Sequence, residues 1–132
     1  MRWSLVLFVL VTACSRPIAV AVETANAAAT LGDISETTIA GAVKRSEAAC
    51  LALVDAKVVE CVTASRARFA PIWKAYDRFR VSWLALEAAI RTAQAVDKLG
   101  QMPDVRGVML AAAKVAETQH ALEQAATALG EK

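Results

Sequence analysis

Along the middle of the chain, apolar residues recur at alternating intervals of three and four. Phe69, Ile72, Tyr76, Phe79, Trp83, Leu86, Ile90 and Ala93 form one such stripe, the heptad seam of a pair of helices that supercoil left-handedly. Val105, Val108, Ala112, Val115, Gln119, Leu122, Ala126 and Leu129 repeat the alternation nearer the C-terminus. Gln119 is the polar member of that seam and reads as a device that fixes register. A third, looser stripe precedes both, through Ile39, Val43, Cys50, Val54, Val58, Cys61 and Phe69, with Ser65 interrupting it. Lys44, Arg45, Glu47, Lys57 and Glu60 populate the other faces of this segment, as expected of an amphipathic helix.

The ends of these segments carry helix signals. Asp33 and Ser35 are good N-cap residues, and Glu36 stands three after Asp33 as in a capping box. The spacing therefore predicts a first helix over about 33–70, weakened at Gly41. Pro71 disfavours helical geometry at Ala70, so a break or kink is expected there, with a second helix restarting at Pro71 and running over 71–99. Lys98 suits the C-terminal dipole and Gly100 the left-handed cap. Met102-Pro103-Asp104 makes a turn into a last helix over 103–129. With five Gly, three Pro and scattered β-branched residues, the expected class is all-α. Its architecture is an antiparallel three-helix bundle or long helical hairpin with coiled-coil-like seams. Small residues on the last helix are expected to pack against the aromatic seam of the middle one. The same seam would also serve a dimer, because a narrow core leaves little room for Trp73 and Trp83 together. Residues 14–32 are small and polar with little apolar periodicity. They read as a tether, with an Ala-rich helix beside the bundle as the alternative.

The first fourteen residues follow a different logic. Arg2 leads into the apolar run Trp3 to Val11, which closes on Val11-Thr12-Ala13-Cys14. A basic start, a short apolar core and small residues before a cut are the parts of a secretory signal. The run is shorter than the roughly 20 apolar residues of a membrane span. A Val-Thr-Ala triplet directly before cysteine resembles the lipobox of bacterial lipoproteins. The resemblance covers Met1 to Cys14 and implies cleavage before Cys14, a diacylglyceryl thioether on Cys14 and an acylated new N-terminus. Together with the seams and helix signals downstream, the expected organisation is a signal over 1–13, a lipidated cysteine and tether over 14–32 and a helical domain over 33–132. In double-membraned bacteria an Asp after the cysteine tends to retain such proteins at the inner membrane. Ser15 occupies that position, so the resemblance favours the periplasmic face of the outer membrane. An ordinary cleaved signal or an uncut N-terminal anchor is the plainer alternative.

Composition narrows the function. Removing thirteen residues leaves 119 of the 132, enough for one small domain. The formal charge of +2 falls to +1 when Arg2 leaves with the signal, and so balanced a chain carries no electrostatic footprint for nucleic acid. Much of the 57% hydrophobic content is alanine within charged, periodic segments. No Ser/His/Asp set, glycine-rich phosphate loop or metal spacing of cysteines occurs, so no enzyme, cofactor or metal is expected. Glu117 and His120 form the Glu-x-x-His spacing of di-iron bundles, but such a site needs two of these motifs, and the chain has one His. The segment Arg66, Arg68, Phe69, Trp73, Lys74, Tyr76, Arg78, Phe79, Arg80 mixes cations with aromatics, a composition that binds lipid headgroups or single strands. Because the core claims Phe69, Tyr76 and Phe79, a solvated basic face is the expected outcome.

Two classes of function remain. The first is a lipid-anchored, non-catalytic binding or assembly module of the cell envelope. It would meet the membrane through Cys14 and an envelope protein or a second copy through exposed residues such as Trp73, Arg80 and Arg91. The second is a bundle that holds a metal or ligand. An envelope subunit of a phage lysis or exclusion system is a further alternative within the first class. Cys50 and Cys61 lie eleven residues apart, near the same face of a continuous helix but about 16 Å apart along it, beyond the reach of a disulfide. Free, buried thiols are therefore expected, with a bridge between two copies as the alternative. An intrachain bridge would require the helix to break between Leu51 and Glu60, where there is no Gly or Pro.

Overall fold

The computed structural model describes residues 17–130, which form three α-helices: α1 (Pro17–Leu51), α2 (Asp55–Lys98) and α3 (Val105–Gly130). The all-α class and the three-helix bundle agree with the seams in the sequence. The helix boundaries differ from expectation at three places.

The first difference is the start. Residues 17–32, expected as a tether, belong to α1. Ala21, Ala25, Ala28 and Gly32 are buried at intervals of four, three and four, so this stretch carries a heptad written in small side chains. Alanine is the best helix former, and Pro17 is tolerated in the first turn because its missing N–H would have no partner there. Asp33 and Ser35 consequently lie inside a helix and cap nothing. The carbonyl of Asp33 accepts the Thr37 hydroxyl at 2.9 Å.

The second difference is the corner. The expected helix over 33–70 ends at Leu51, and Ala52-Leu53-Val54 turns the chain into α2 at Asp55. Ala52 N–H donates to Ala49 O at 3.4 Å, Leu53 N–H to Cys50 O at 3.1 Å, and Lys57 N–H to Val54 O at 2.8 Å. These tight i to i−3 bonds close the last turn of α1 and open the first of α2. Among the described residues no non-glycine has positive φ, so the corner requires neither Gly nor Pro. Asp55 supplies an acid to the first turn of α2, where the dipole favours it.

The third difference is Pro71, where α2 continues without interruption. Pro71 and Ala67 are both exposed. The proline ring therefore faces water, and the Ala67 carbonyl that loses its helical donor lies on the solvent side. The α2–α3 corner does follow expectation. Gly100 has φ of 71°. Gln101 N–H donates to Val96 O at 3.2 Å and Gly100 N–H to Asp97 O at 2.9 Å, the paired bonds of a Schellman cap. Asp104 then caps α3, its carboxylate accepting Gly107 N–H at 2.9 Å.

The chain divides into two compact units, each drawing one segment from every helix. Of the described residues, the first unit contains 17–29 and 81–116. Its buried residues include Ala21, Ala25 and Ala28 of α1, Trp83, Leu86, Ile90 and Ala93 of α2, and Val108 and Val115 of α3. Small side chains on α1 face a core whose bulk comes from α2, the large-into-small matching that dense packing requires. The second contains 30–80 and 117–130. Ile39, Phe69, Ile72, Tyr76, Phe79 and Leu122 are buried in it. Its cross-links show that α1 and α2 are antiparallel. Cys50 pairs with Cys61, Ser46 with Ser65 and Glu36 with Tyr76, so partners retreat along α1 as they advance along α2.

Candidate functional site

Cysteine chemistry is the most specific feature of the second unit. Cys50 and Cys61 form a disulfide with Cα atoms 5.5 Å apart. The expectation of two free thiols, with an interchain bridge as the alternative, is therefore corrected. The corner at Ala52–Val54 brings the two residues opposite each other on α1 and α2. In the chain-entropy picture, closing so short a loop contributes about 3 kcal/mol. Cys14, the expected lipidation site, lies outside the described residues.

Farther along the second unit, polar links bridge α1 and α2. Ser65 Oγ donates to Ser46 Oγ at 2.7 Å, which gives the buried, interrupting Ser65 a half-buried partner. Arg66 Nε lies 3.0 Å from Glu47 Oε1, and an exposed ion pair of this kind contributes little, typically below about 1 kcal/mol. Tyr76 is buried and donates its hydroxyl to Glu36 Oε2 at 3.0 Å. Burial raises the phenol above its ordinary value of 10.0, and the hydrogen bond and charge of Glu36, with Asp33, push the same way against Arg80. Ionising this tyrosine would place a second negative charge beside a carboxylate.

Of the expected interaction residues, Trp73 is half-buried, and Arg80 and Arg91 are exposed. Trp73 meets Tyr76 edge-on, with ring centroids 5.7 Å apart and planes at 83°, which accounts for an aromatic residue off the strict seam. Trp73 and Arg80 belong to the second unit and Arg91 to the first. The basic segment also behaves as expected: Arg66, Arg68, Lys74, Arg78 and Arg80 are exposed, while Phe69, Tyr76 and Phe79 are buried.

Glu117 and His120 are both exposed on α3, and Gln124 Nε2 lies 3.0 Å from His120 Nε2. Among the described residues, no group of three or more His, Cys, Asp or Glu is placed to hold a metal ion. Gln119 is half-buried and donates to Glu123 Oε1 at 3.0 Å along its own helix. Its partner is thus local. The second unit has an open apolar groove of about 190 Å³ lined by Leu31, Ile34, Ile39, Ile72, Leu122 and Ala126. The first has a smaller one of about 90 Å³ between the starts of α1 and α3.

The Tyr76–Glu36 link and the Ser46–Ser65 pair went unread in the sequence because each needs the register of α1 against α2. The disulfide did leave a trace in the sequence, two cysteines eleven residues apart, but it requires the corner. Among the described residues, no helix is long and apolar enough to cross a membrane. No protein family, curated protein or solved structure matches the chain.

Proposed function

We propose that the protein is a lipid-anchored helical module of the bacterial cell envelope that acts by binding or assembly and carries out no catalysis. The observation that carries this reading is the division among the three cysteines of the chain. Cys50 and Cys61 are bonded to each other, and disulfides persist in oxidising compartments such as the periplasm. Cys14 is left over, directly behind Val11-Thr12-Ala13 at the end of an export-like signal. Two acyl chains or more on Cys14 would give stable attachment, since one chain holds only marginally. Ser15 directs the mature protein to the periplasmic face of the outer membrane where the source has one.

The binding role rests on how the aromatic residues are used. Phe69, Tyr76, Phe79 and Trp83 are spent on the core, and the grooves of both units are shallow and apolar, without a convergent set of reactive groups. The exposed helix faces remain, with Trp73, Arg80 and Arg91 as the residues through which an envelope protein or a second copy would be met. Photo-crosslinkers at these three positions in the membrane-bound protein should trap a discrete adduct. A monomer with no adduct from any position, or a stoichiometric bound metal, would overturn the binding role.

A further inference from the structure

The first unit carries a patch of exposed apolar side chains that its core does not use. Leu99 is 75% exposed and Met102 93% exposed at the α2–α3 corner, with Met109 and Leu110 exposed in the opening turns of α3. Corners of this kind are ordinarily polar, because water must cover them. Here the cap at Gly100 and the N-cap at Asp104 account for the backbone of the corner, and neither requires leucine or methionine at positions 99 and 102.

The place of this patch in the unit indicates what covers it. Pro17, Val20, Ala21 and Thr24 of α1 line one groove together with Met109 and Ala112 of α3. The start of α3, and the corner that leads into it, therefore lie beside the start of α1. Cys14 stands three residues before Pro17, and three residues span at most about 11 Å. Acyl chains on Cys14 would hold a bilayer surface within that distance of Pro17, on the side of the unit where Leu99 and Met102 are uncovered. Charge does not oppose the contact: Lys98 and Arg106 are matched by Asp97 and Asp104, all exposed.

On these grounds, and resting on the reading that Cys14 is lipidated, we infer that the α2–α3 corner is a membrane-docking tip. It inserts Leu99 and Met102 into the interfacial layer of the leaflet that holds the Cys14 lipid. Amphipathic surfaces seat their apolar groups about 5–10 Å into that layer, a depth that side chains at the tip of a corner reach without any helix entering the bilayer. The anchor and the tip would fix the orientation of the first unit on the membrane, which a lipid on a single residue does not do.

The test uses the full lipidated chain in vesicles of phosphatidylethanolamine with a minor fraction of phosphatidylglycerol. With Cys14 modified and Cys50 bonded to Cys61, Met102→Cys introduces one reactive thiol for a nitroxide. Ala85→Cys serves as the reference, exposed on α2 in the same unit and about 20 Å back along the helix from Leu99. Oxygen partitions into lipid and a chelated nickel reagent stays in water. The ratio of oxygen to nickel accessibility should exceed unity at 102 and fall below it at 85. A water-like ratio at both positions in vesicle-bound protein would overturn the docking tip and leave the anchor standing. Protection of position 102 from both reagents would also overturn it, and would assign the patch to a protein contact. Labelled chain that fails to enter the vesicle fraction would overturn the anchor and the tip together.

Discussion

Cys50 and Cys61 are eleven residues apart in sequence and 5.5 Å apart between Cα atoms, a distance that only a reversal of the chain between them allows. The bridge fastens α1 to α2 at the corner and, with Ser46–Ser65 and Glu36–Tyr76, sets one register along the second unit. Reduction should therefore lower the unfolding free energy by about 2–4 kcal/mol, with Cys50→Ala/Cys61→Ala giving a similar loss. Denaturant unfolding with and without reductant reads this directly. Equal midpoints under the two conditions would mean that the bridge does not constrain the chain.

Burial of Trp83 should dominate the first unit. Trp83 is 8% exposed and lies on the seam with Leu86, which is fully buried. Trp83→Ala is expected to cost about 3–5 kcal/mol, whereas Val81→Ala, two residues away and 67% exposed, should stay within about 0.5 kcal/mol. Chemical denaturation followed by circular dichroism separates the two. Similar losses from both variants would place the core on the wrong face of α2.

The single tyrosine of the chain makes the Tyr76–Glu36 contact measurable without labels. Its phenol is held above the ordinary value of 10.0. A group whose folded pKa is raised contributes stability that is fully present below the unfolded pKa and is lost as pH rises through the folded one. Tyrosinate absorbance should therefore appear at higher pH in the native protein than in denaturant, with stability declining only on the alkaline side. Superimposable native and denatured titrations would mean that Tyr76 is neither buried nor bonded to Glu36.

The seams of α2 and α3 were legible because large side chains mark them: Phe79, Trp83, Leu86, Val108, Val115 and Leu122 are all buried. The cap at Gly100 was legible for a related reason, since few residues accept its positive φ. The start of α1 was hidden because Ala21, Ala25 and Ala28 write their heptad in methyl groups, which a search for bulky apolar residues passes over. The first corner was hidden by a coincidence of phase. Val54 completes the interval between Cys50 and Val58 and extends the stripe across the turn, yet it is 78% exposed. Pro71 misled in the opposite sense, because a proline on a solvent-facing turn costs one hydrogen bond that water replaces. Of the candidate site, the cysteines and the basic face were readable as residues, while their partners depended on a register that only the folded chain supplies.

The assignment of a separate chemistry to each cysteine is tested most directly by intact mass spectrometry of the protein extracted from membranes, alkylated before and after reduction. The expected species begins at Cys14 and carries the mass of a diacylglyceryl group with a further acyl chain. It takes up no alkylating agent until reduced, and then takes up two equivalents, at Cys50 and Cys61. A mature chain that begins elsewhere, an unmodified Cys14, or alkylation of Cys50 and Cys61 without reductant would contradict it.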